Sequence, residues 1–60
     1  MKYIIEVLDK KKSYYWRLVH KNGKILAHSE NYSSSAKAMQ TAANVANSFK
    51  KGTCHLASSL

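Results

Sequence analysis

The side chains best equipped for chemistry crowd into one stretch, Tyr14-Tyr15-Trp16-Arg17-Leu18-Val19-His20, which holds two tyrosines, the lone tryptophan and the lone arginine. A guanidinium beside phenols suits the binding of anions and planar partners by charge, hydrogen bond and stacking. Proton-transfer catalysis needs more, because a base must stand within hydrogen-bond reach of what it deprotonates. The chain has three carboxylates, Glu6, Asp9 and Glu30, and none is spaced to pair with His20 or His55. His20, His28, Cys54 and His55 are scattered, and only the last two are neighbours, so no zinc-ligand spacing is present and no metal or other cofactor is expected. Cys54 is the lone cysteine and excludes an intrachain disulfide; it reads as a small buried side chain before a reactive thiol. Ser33-Ser34-Ser35 is helix-capping chemistry before it is nucleophile chemistry. The expectation is a protein that is not an enzyme.

The elements that must position these groups follow from pattern. Residues 2–8, Lys-Tyr-Ile-Ile-Glu-Val-Leu, are β-branched and aromatic with no helical stripe, and read as a first strand. Asp9-Lys10-Lys11-Lys12-Ser13 is a polar break. The distinctive stretch, 14–20, is the second strand. Asn22-Gly23 is a strong hairpin signal, because a type I′ turn needs positive φ at both central residues, and residues 24–30 form the third strand.

A two-residue Asn22-Gly23 loop sets a register in which Lys21 pairs with Lys24, Leu18 with Ala27, Arg17 with His28 and Trp16 with Ser29. One face then carries Tyr14, Trp16, Leu18, His20, Ile25, Ala27 and Ser29. The other carries Tyr15, Arg17, Val19, Leu26, His28 and Glu30. A four-residue loop at 10–13 in the first hairpin puts Val7 opposite Trp16, Ile5 opposite Leu18 and Glu6 opposite Arg17, an opposite-charge pair. The two hairpins agree that the first face is the core. Tyr14 and Trp16 are therefore expected under a helix. Tyr15, Arg17 and His28 remain as a candidate contact surface on the mixed face, beside an apolar patch of Ile4, Val19 and Leu26.

After the Asn31–Ser35 turn, Ala38, Met39, Ala42, Val45, Ala46 and Phe49 recur at three- and four-residue spacing and predict a helix over about 35–50. Alanine dominates the stripe, so the helix can approach the sheet closely. Gly52 is the expected C′ residue, with Lys50 and Lys51 complementing the helix dipole. Residues 53–57 read as a fourth strand before a Ser-Ser-Leu tail. The fold class is α+β: a β-β-β-α-β unit over 1–60, an antiparallel sheet with one helix packed on it.

Sixty residues make one domain and bury only ~60% of the surface of the unfolded chain. With neither disulfide nor metal, self-association is the expected source of further stability. Two residues between helix and last strand is a short tether, so a homodimer that exchanges its C-terminal strand is expected. The formal charge of +7 favours polyanions; Lys10, Lys11, Lys12, Lys21 and Lys24, with Lys50 and Lys51, are the candidate phosphate contacts. No apolar run is long enough to span a membrane, and Glu6 interrupts any secretory h-region. A soluble, cytoplasmic location follows as an expectation.

The residues in order are similar to the YegP-like family of small bacterial proteins: Glu6-Val7…Asp9-Lys10-Lys11…Tyr14-x-Trp16-Arg17-Leu18, then Asn22-Gly23-x-Ile25, then Ser29-Glu30-x-Tyr32-Ser33-Ser34 and Ala36-x-Ala38. The match runs over about residues 5–45. It departs at Gln40-Thr41, where the family usually has Asn-Gly, and at Ser13, where it usually offers Gly. The resemblance implies a β3-α-β unit that works as a tandem repeat or as two subunits with swapped C-terminal strands, hence a homodimer here. It implies no activity and no site residues. Two functions remain: a basic, non-enzymatic dimeric module that offers a sheet surface to another macromolecule, a protein in the first instance, or a nucleic-acid-binding module of a three-stranded sheet plus helix.

Overall fold

A computed structural model describes residues 2–58. The elements run β1 (Tyr3–Lys10), β2 (Ser13–His20), β3 (Ile25–His28), α1 (Ser35–Asn47) and β4 (Cys54–Ser58). The expected tail begins inside β4 at Ser58, and residues 59 and 60 lie outside the described residues. The sheet order is β3-β2-β1-β4. β1, β2 and β3 are antiparallel neighbours, whereas β4 lies parallel to β1, pairing Tyr3 with Cys54 and Ile5 with Leu56. The sheet is thus mixed and not wholly antiparallel. A helical crossover returns the chain in the direction in which β1 ran.

The β1–β2 register matches the one read from the sequence: Val7 faces Trp16, Ile5 faces Leu18, and Glu6 faces Arg17. Its loop is tighter than expected. Lys10 pairs with Ser13, leaving Lys11 (φ 35°) and Lys12 (φ 64°) as a two-residue turn with both residues left-handed. Primed turns match the right-handed twist of the strands they join. The β2–β3 hairpin reverses the expectation. The Gly23 N–H donates to the His20 carbonyl, the His20 N–H donates to the Lys24 carbonyl, and Gly23 alone is left-handed at φ 94°. The loop is therefore three residues, 21–23, and Val19 pairs with Ile25. A bulge at Leu26 absorbs the shifted residue, restoring Leu18 opposite Ala27 and Arg17 opposite His28. Ile25 consequently leaves the core face for the opposite one, where it is 51% exposed.

The helix starts as expected, with the Ser34 hydroxyl accepting from the Lys37 N–H at 3.0 Å. It stops three residues early, at Asn47, where the Ser48 hydroxyl donates back to the Val45 carbonyl. Gly52 is not its cap. At φ 85°, with the Thr53 N–H donating to the Lys50 carbonyl, Gly52 occupies the left-handed third position of a type II turn leading into β4. The early stop lengthens the tether to residues 48–53. That length brings β4 to β1 of its own chain and removes the geometric ground on which strand exchange was expected.

The core lies between α1 and one face of the sheet. Ile5, Val7, Ala38 and Ala42 have no exposed surface, and Tyr14, Trp16, Leu18, Met39, Val45, Cys54 and Leu56 pack around them. Alanines at the contact let the helix backbone sit close above the strands. The Trp16 indole N–H is buried without a hydrogen-bond partner, so its ring is held for its apolar area.

Candidate functional site

α1 is the one helix among the described elements, and it covers one face of the sheet. The other face is open, and alternation along the strands decides what it carries. Ile25, Val19 and Ile4 form one cross-strand row. His28, Arg17 and Glu6 form the next, and Tyr15 and Leu8 the third. Arg17 Nε donates to Glu6 Oε1 at 2.8 Å, and both side chains are 34% exposed. The pair neutralises the middle of the face, so the face is flanked by charge without itself carrying a net excess at its centre. Ile25 and Leu26, the latter 46% exposed, form an apolar margin along β3.

Beyond the Arg17 row a concavity of about 830 Å³ opens, lined by Lys10, Tyr15, His28, Ser29, Glu30 and Asn31. Tyr15 and His28, both candidates from the sequence, thus share one groove. Arg17 lies in the adjoining row, engaged with Glu6, and is not part of the groove wall. The sequence places Ser29 and Glu30 in the third strand, Ser29 on the core face, and Asn31 in the turn after it, none of them as a contact residue. β3 ends at His28, and all three lie in the irregular segment that follows and line the groove. Their position depends on Tyr32 bridging back to Tyr14, where paired N–H···O bonds of 2.8 and 2.6 Å hold the chain against β2. A groove with a phenol, an imidazole, an ammonium, a carboxylate and an amide offers donors and acceptors of both signs.

The lysines named from the sequence divide between two ends of the sheet. Lys10, Lys11 and Lys12 stand at the β1–β2 turn. Lys21 and Lys24 stand at the opposite end of the sheet, where the Lys21 N–H donates to the Lys2 carbonyl. Cys54 faces the core beside Tyr3, and burial pushes its thiol above the ordinary value, against a smaller opposing effect of a backbone hydrogen bond with Ile5. A raised value leaves little thiolate at neutral pH. Among the described residues no three His, Cys, Asp or Glu side chains are grouped to hold a metal, and no helix is long and apolar enough to cross a membrane.

The architecture defines a small α+β unit of three antiparallel strands, a helix and a returning parallel strand. A family model described as a domain of unknown function (DUF1508) matches residues 9–50, more than two-thirds of the chain, and the chain belongs to that family, the YegP-like domain. No curated protein and no solved structure matches it.

Proposed function

We propose that this protein is a small, basic, non-enzymatic module whose open sheet face is a protein-contact surface, and that a second copy of the chain is the first protein it contacts. One observation carries the reading: the helix covers a single face, while the other leaves Ile25 and Leu26 about half exposed beside the Glu6–Arg17 pair. The intramolecular core supports it. Among the described residues the completely buried side chains are Ile5, Val7, Ala38 and Ala42, two of them only methyl groups, and a small domain with so thin a core gains most from burying apolar surface elsewhere. Two copies with a formal charge of +7 repel, but that charge is carried mainly by lysines at the sheet ends, and the centre of the open face is neutralised. An exposed partly apolar surface rimmed by polar groups is the usual form of an interaction site. Tyr15, Arg17 and His28 supply its directional contacts, with a phenol and a guanidinium of the kind that anchors interfaces.

Light scattering on a sizing column tests this. The parent chain elutes with the mass of a dimer, and Ile25→Lys with Leu26→Lys elutes as a folded monomer, since both positions are exposed and lie outside the core. A parent chain that is monomeric at its highest soluble concentration overturns the proposal.

A further inference from the structure

We infer that the end of the sheet formed by Lys2, Lys21, Lys24, Lys50 and Lys51 is a docking surface for the phosphodiester backbone of a nucleic acid. This surface is separate from the open face and does not depend on it. The five lysines come from three distant parts of the chain, and backbone hydrogen bonds tie them to one end of the sheet. The His20 N–H donates to the Lys24 carbonyl, the Lys21 N–H to the Lys2 carbonyl, the Lys2 N–H to the Thr53 carbonyl, and the Thr53 N–H to the Lys50 carbonyl, all at 2.8–2.9 Å. All five are exposed. Lys24 precedes β3, Lys21 follows β2, Lys2 precedes β1, and Lys50 and Lys51 lead into β4, so the charges cross the whole β3-β2-β1-β4 order. Strands about 4.8 Å apart make that row roughly 14 Å long, the reach of about four phosphates at 3.4 Å of rise along one strand.

No carboxylate side chain offsets this charge. The acidic side chains are Glu6, Asp9 and Glu30. Glu6 is held by Arg17 in mid-sheet, Asp9 pairs with Tyr14 near the opposite end, and Glu30 lies beyond Ser29 on the groove wall. Beneath the lysines the Tyr3 ring packs edge-on to His20 and tilted against Phe49, both at centroid distances of 5.4 Å. These contacts fix the strand end and the segment after α1 relative to each other. A second concavity, of about 260 Å³, opens there between Asn47, Phe49, Lys50 and Lys51. It offers two ammonium groups, an amide and the side of an aromatic ring, the combination that receives a phosphate with a neighbouring base. Lysine meets phosphate as a point charge and reads no sequence, so the binding is electrostatic and general. Phe49 is packed against Tyr3 and does not project as an apolar wedge, which favours a phosphodiester chain over a lipid surface.

The test is fluorescence anisotropy with labelled single-stranded and duplex oligonucleotides across a salt series. Four to five neutralised phosphates give a slope of log K against log salt of about −3 to −4.5, at roughly 0.7 to 0.9 per contact. The quadruple variant Lys21→Gln, Lys24→Gln, Lys50→Gln, Lys51→Gln flattens the slope to about −1, and the same four positions as arginine keep it. The opposite-end variant Lys10→Gln, Lys11→Gln, Lys12→Gln leaves the slope within about one unit of the parent. The double variant Lys21→Gln, Lys24→Gln, at exposed turn positions, gives an intermediate slope should the quadruple one lose its fold. Equal loss from either end, no binding near physiological salt, or tighter binding to anionic phospholipid vesicles or to polyglutamate each overturn the inference.

Discussion

Arg17 and Glu6 face each other in register and join at 2.8 Å. A pair one-third exposed on both sides contributes at most about 1 kcal/mol. Its larger effect is to remove net charge from the middle of an otherwise apolar face. Cys54 is the residue whose environment makes a measurable pH statement. Burial raises its thiol above its ordinary value. A thiol with a raised folded-state value holds its proton longer in the folded chain than in the unfolded one. The associated stability is complete below the unfolded value and is lost as pH rises through the folded value. Denaturant unfolding followed from neutral to alkaline pH should show stability falling above pH 9, a fall reduced in Cys54→Ser; identical profiles for the two chains contradict this. Alkylation by iodoacetamide at neutral pH should likewise be slower than for a free thiol.

Turn chemistry decides the geometry of the elements, and its clearest signature is misplaced. Asn22-Gly23, the pair suited to a type I′ turn, sits in a three-residue loop with only Gly23 left-handed. Lys11-Lys12, which has no such suitability, takes positive φ at both positions. A left-handed conformation costs a β-carbon-bearing residue about 1–2 kcal/mol. Lys12→Gly should therefore stabilise the chain by about 1 kcal/mol, read as a higher denaturation midpoint at unchanged m-value; a loss of stability contradicts the assigned turn. The core-facing alternation of β1 and β2 was legible because Val7–Trp16 and Ile5–Leu18 are demanded by two hairpins at once. The bulge at Leu26 was not, since it compensates for a loop one residue longer than the sequence signal implies, and either arrangement restores Leu18 to Ala27. The helix end was hidden for a related reason. The alanine stripe continues to Phe49, but Phe49 turns to stack on Tyr3, a contact that exists only once β4 has returned beside β1.

At the scale of the whole molecule, a net charge of +7 was plain in the sequence, but its division between two ends of the sheet was not. That division depends on the parallel return of β4, which brings Lys50 and Lys51 to the edge already holding Lys2, Lys21 and Lys24. The groove shows the same limit. Tyr15, His28 and Glu30 share a face by register, whereas Ser29 and Asn31 line the groove only because β3 ends at His28 and the following segment is held by the Tyr14–Tyr32 bridge. The fold thus separates three surfaces: a helix-covered face that supplies stability, an open face centred on Glu6–Arg17, and a lysine edge. The central claim is that the open face is where one chain meets another. Amide chemical shifts followed over a dilution series test it most directly. Concentration-dependent shifts should cluster at Ile4, Glu6, Tyr15, Arg17, Val19, Ile25 and His28 while those of α1 stay fixed. Shifts confined to α1 or to β4, or none at any concentration, contradict it.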